Sequence, residues 1–144
     1  MDRPGRSDSL KRGLIWIASL IGTATCILVP LLFSQGSQDF PLPALYFIEI
    51  ALLGVLVMGY VVFRASFGGR WRALPWVASG IVLAFVILGG FSIGFYLIPA
   101  LFAFVAVGAL GDLQRDGLMA RHLGYLLLAA VVQSAVMLTA IQFA

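Results

Sequence analysis

Apolar residues occupy this chain in long blocks separated by short polar segments, with neither the alternation of a half-buried strand nor the single stripe of a soluble helix. Residues 13–33, 44–63 and 122–143 each hold about one bilayer's length of apolar helix, and residues 1–12 form a polar tail ahead of the first block. Between Arg72 and Asp112 lie 39 consecutive residues without an Asp, Glu, Lys, Arg or His. As one helix that stretch would rise about 58 Å, at about 1.5 Å per residue. The hydrocarbon core is about 30 Å thick, so the run is nearly twice what one crossing needs. Gly89-Gly90-Phe91-Ser92-Ile93-Gly94 is its one cluster dense enough in glycine to reverse the chain, and Pro99 suits an early turn of a returning helix. Division there predicts spans at 73–90 and 95–111. The pattern predicts an all-α polytopic membrane bundle of five transmembrane helices, the third and fourth forming a tight hairpin. Four helices are the alternative.

Charge favours the five-helix reading. The nine basic residues fall as four in the tail, three in 64–72 (Arg64, Arg70, Arg72) and two in 111–123 (Arg115, Arg121). The 34–43 connector carries none. With the hairpin, all three basic segments share one face, as the excess of Lys and Arg in cytoplasmic loops predicts. The expected placement is therefore the plasma (inner) membrane, multi-pass, with the N-terminus cytoplasmic and the C-terminus outside. A single crossing would strand Arg115 and Arg121 on the opposite side.

Composition agrees. The chain has 144 residues, 62% hydrophobic and 10% charged, with a mean hydropathy of +1.07. Soluble domains are about 45–50% apolar and about 25% charged, and so short a chain could not bury this excess in water. The net charge of +3 follows from basic residues flanking the spans, so nucleic acid is not an expected partner. The lipid bilayer is one, with a second copy or another membrane protein as candidates beside it. Cys26 is the one cysteine and can close no intrachain disulfide.

Ser92-Ile93-Gly94-Phe95-Tyr96-Leu97-Ile98-Pro99-Ala100 resembles the S-I-G-x-x-x-x-P-A hairpin of small uncharacterised bacterial multi-span membrane proteins. In those proteins the segment opens the return helix after a tight external turn. The resemblance covers about 35 residues; it supports the turn and implies no activity.

Glu49 is the one acid inside an expected span, and an intramembrane carboxyl is a ligand or proton-site candidate because its charge is costly in lipid. Five residues past Ala44, it can also reach water or headgroups, or hydrogen-bond a neighbouring span. Thr139, Gln142 and Tyr96, at comparable outer depth, are its possible partners. Gln133 and Ser134 lie deep in the last span, where polar side chains hydrogen-bond between helices. Arg70, Trp71 and Arg72 are lipid-headgroup candidates, and Trp71 and Trp76, bracketing Pro75, read as aromatic anchors at the boundary. His122 beside Arg121 reads as an interfacial residue. Small residues four apart, Gly80 with Ala84 and Ala130 with Ser134, and the run Ala100, Ala103, Ala106, allow close helix approach, within the chain or between copies.

Nucleophile–base pairs, paired carboxylates, phosphate loops and metal motifs are absent from the sequence, so catalytic residues, metal and cofactors are each expected to be none. Among inner-connector residues only Asp112, Asp116 and His122 accompany the arginines. The expected function is non-enzymatic: an accessory or partner subunit of a membrane assembly. The alternative is a small solute, proton-coupled or lipid carrier working through Glu49.

Overall fold

The computed structural model describes residues 4–34, 41–64, 66, 71–90, 93–113 and 119–142. Five α-helices follow one another: α1 (Pro4–Ser34), α2 (Pro41–Phe63), α3 (Leu74–Leu88), α4 (Ile98–Leu113) and α5 (Met119–Gln142). A 3₁₀ turn, Gly94–Leu97, leads into α4. Among the described residues there is no strand. Polar residues at the start of α1 do not prevent helix, because Pro4 fits a first helical turn.

The long uncharged stretch folds back on itself. Gly89 caps α3, its amide donating to the Phe85 carbonyl at 2.8 Å, and the Gly94 amide then donates to the Gly89 carbonyl at 2.7 Å. A Cβ at Gly94 would lie 2.6 Å from the Gly89 backbone, so this closure requires glycine. Residues 91 and 92, which include Ser92 of the S-I-G motif, lie outside the described residues.

Among the described residues, four helical segments are long and apolar enough to cross a membrane: Asp8–Ser34, Leu45–Phe63, Gly94–Leu113 and Met119–Gln142. The chain is thus a helical membrane bundle. At 15 residues, α3 reaches only about 22 Å. It stops short of the expected 73–90 because Gly89 ends it. Its position offsets the deficit, since α2, α4 and α5 all pack against it and little of its length must match lipid. Trp76, Val82, Ala84 and Phe85 along it are all buried.

Inter-helix contacts set the directions. Thr23 Oγ1 donates to the Gly54 carbonyl at 3.0 Å and Ser19 Oγ approaches Met58 Sδ at 3.6 Å, so α1 and α2 are antiparallel. Gly22 faces Phe104 and Phe33 meets the Tyr96 ring at 5.3 Å, which makes α1 and α4 antiparallel too. Tyr46 of α2 meets Phe85 of α3 edge-on at 5.7 Å. Close approach between α3 and α5 depends on Gly80, where a Cβ would strike the Leu126 carbonyl. Gly80, Ala84, Ala100, Ala103 and Ala130 therefore serve packing inside this chain.

It follows that α1, α3 and α5 run one way and α2 and α4 the other. Arg64, Arg72, Asp112 and His122 gather at one end, called here the basic end. Large apolar side chains such as Leu20, Leu28, Leu52 and Val131 are exposed around the outside, as hydrocarbon contact requires.

Candidate functional site

At the basic end three helices are joined through one carboxylate. Pro75 starts α3 and leaves Trp76 in its first turn, 2% exposed. The indole lies against Gly108 of α4, where a Cβ would stand 2.7 Å from Nε1. One helical turn further on, Asp112 receives the indole proton, Trp76 Nε1 to Asp112 Oδ2, at 3.1 Å. His122, in the first turn of α5, places Nδ1 at 2.7 Å from the same oxygen. A carboxylate only accepts, so Nδ1 is the donor of this bond. Asp112 is 4% exposed. Such a group is tolerated inside a bundle because charge-assisted bonds, each worth about 1.5–3 kcal/mol, satisfy it.

Beside this knot is a cavity of about 30 Å³, lined on the α2 side by Tyr60 and Arg64 and on the α3–α4 side by Arg72, Gly108, Gly111 and Asp112. Arg72 turns inward, and its Nε is buried without a hydrogen bond. Trp71, by contrast, is half-exposed. Arg70, Arg115 and Asp116 lie outside the described residues. Trp76 is therefore no boundary anchor: the α3 rotation that seats it on Gly108 turns it into the bundle. His122 is likewise drawn into the interior by Asp112.

The second polar site is at mid-depth. Glu49 is half-buried on α2, and its polar neighbour is Gln133 of α5. Gln133 is 8% exposed, and its Nε2 closes no hydrogen bond of good geometry. The expected partners are engaged elsewhere or exposed. Thr139 donates to the Ala135 carbonyl of its own helix at 2.7 Å. Tyr96 contacts Phe33 and Phe95, and Gln142 is exposed in the last turn of α5. Glu49 is eight residues into α2, about 12 Å from its start. That depth matches Gln133, not the last turn of α5.

Among the described residues the hydroxyls nearest the His–Asp pair are phenolic, Tyr60 lining the cavity and Tyr125 with its ring 6.1 Å from that of His122. The Ser79 hydroxyl donates to the Pro75 carbonyl at 2.7 Å, and Cys26 is buried in α1 against Gly54. Among the described residues no three His, Cys, Asp or Glu side chains converge as a metal site would need. Comparisons with protein-family models, curated proteins and solved structures find no match to this chain.

Sequence reading passed over Trp76, Asp112 and His122 as a set. One signal was available: each stands at a helix end that the hairpin brings to the same face.

Proposed function

We propose that the protein is a non-enzymatic subunit of a membrane assembly, in a plasma (inner) membrane, with the basic end cytoplasmic and the C-terminus of α5 outside. One observation carries this reading: Glu49, about 12 Å into α2, is left partly uncovered by its own chain. A carboxyl at that depth costs several kcal/mol when left to lipid. A polar group on a second chain, laid along the α2–α5 seam, would remove that cost. The seam can accept one, because α5 packs chiefly on α3 and α2 chiefly on α1. A shallow apolar recess on α5, lined by Val132, Ala135, Val136 and Thr139, adds surface for such a helix.

A photo-cross-linking residue at Leu52 or Val136, on the exposed faces beside the seam, tests this in native membranes. The expected result is capture of a second copy or of one defined membrane protein, lost on addition of strong detergent. A monomer without cross-links from both positions, confirmed in mild detergent, overturns it.

The pairing of Glu49 with Gln133 also supports a carrier reading, in which the carboxyl exchanges a proton or holds a cationic solute. Vesicles containing the protein would then show proton-linked flux that Glu49→Gln abolishes. Flux unchanged by that substitution excludes the role.

A further inference from the structure

The cavity at the basic end is independent of the seam around Glu49, and its chemistry differs. Two guanidinium groups from separate elements, Arg64 at the end of α2 and Arg72 at the entry to α3, line one small recess. Among the described residues the one ion pair is His122–Asp112, so neither arginine is matched by a described carboxylate. The Asp112 carboxylate does face the recess. Its single negative charge, with Oδ2 already bonded by Trp76 and His122, can balance only one of the two guanidinium groups, which leaves the cations in excess. Arg72 Nε is buried with its hydrogen-bonding capacity unused, an arrangement with a cost unless an acceptor arrives.

Size and depth narrow the acceptor. A volume of about 30 Å³ has room for about two waters or for the oxygens of one phosphoryl group. Guanidinium groups match such oxygens through paired N–H donors. The recess sits where α2 ends at Phe63, α3 begins at Leu74 and α4 ends at Leu113. That is the level at which a spanning bundle meets lipid phosphates.

We propose that this recess is a binding site for a phosphoryl oxyanion, ligated by Arg64 and Arg72. Its source is the phosphate of an anionic membrane lipid or a soluble phosphate ester. Gly111 gives the site a specific test, because a Cβ there meets nothing within 4 Å. A larger side chain at that position can occupy the recess while every charge stays in place.

The experiment is native mass spectrometry of the full chain in detergent, titrated with phosphatidylglycerol in one arm and with inorganic phosphate in the other. Wild type is expected to retain one equivalent of the anion. Arg64→Gln with Arg72→Gln should weaken retention at least tenfold, and Gly111→Leu to a similar degree. Arg72→Lys keeps the charge without the fork and should fall between. Retention of phosphatidylglycerol alone identifies a lipid site, whereas inorganic phosphate that binds and displaces lipid identifies a soluble ligand. Both support the proposal. Should the double arginine variant fail to fold, by thermal unfolding in detergent, Gly111→Leu decides alone. Failure of wild type to bind either anion overturns the proposal, and so does retention undiminished in Gly111→Leu.

Discussion

Asp112 and Glu49 carry the same functional group at different levels of one bundle, and their surroundings differ. Asp112 is enclosed, and its Oδ2 accepts one hydrogen bond from an indole and one from an imidazole. Glu49 is half-buried at mid-depth beside an amide that does not complete its own bonding. An acid that its own chain satisfies is structural: it ties α3, α4 and α5 at the basic end. An acid left partly uncovered in a membrane points outward, to a partner or a passing ligand. Polar residues of equal rarity in a sequence can thus belong to stability in one place and to function in another.

Substitutions can break this contrast, beginning with the largest expected effect. Asp112→Ala strands two buried donors and should cost about 3 kcal/mol, read as a marked drop in the thermal unfolding midpoint in detergent. Asp112→Asn, which keeps an acceptor, should recover about half of that. A wild-type midpoint in Asp112→Ala would remove the knot from the account of stability.

Trp76→Phe removes the N–H together with the part of the indole that lies against Gly108. The expected loss is about 1–2 kcal/mol, from the hydrogen bond and the lost packing, by the same measurement. A loss as large as that of Asp112→Ala would mean that indole volume, not the hydrogen bond, holds the helix ends.

At the other carboxyl the effects should be small. Glu49→Gln retains a hydrogen-bonding group toward Gln133 and should change stability by less than about 0.5 kcal/mol. Its consequence should appear instead in cross-linking or flux. Gln133→Leu should be neutral or slightly stabilising, within about 0.6 kcal/mol, because the buried Nε2 it removes has no acceptor. A strong destabilisation by either change would make the Glu49 site structural and erase the contrast.

Much of the architecture is legible along the chain. The Gly89–Gly94 reversal is a local matter of glycine placement, and helix ends at Leu88 and Gly94 agree with it. Charge distribution favoured a shared face for 64–72 and 111–123, and among the described residues Arg64 and Arg72 do line one recess with Asp112. The site was less legible. Residue type and depth alone make Trp76 an interfacial anchor, but the rotation of α3 about its axis decides what the indole meets. That rotation follows from Gly80 against Leu126 and Gly108 against Trp76, contacts between residues far apart in sequence. The neighbour of Glu49 was hidden for the same reason: packing between helices, not the start of α2, sets which residue of α5 it meets.

By itself the sequence determined that this is an all-helical membrane bundle with a hairpin in its long uncharged stretch. Hydrophobic length, turn residues and flanking charge are properties of consecutive residues measured against a bilayer of known thickness. Only the tertiary structure decided that Trp76, Asp112 and His122 form one knot, that Arg64 and Arg72 share a recess, and that Glu49 faces Gln133. Which polar side chains meet depends on helix rotation and on depths accurate to a single turn, and the packing of small residues between helices sets both.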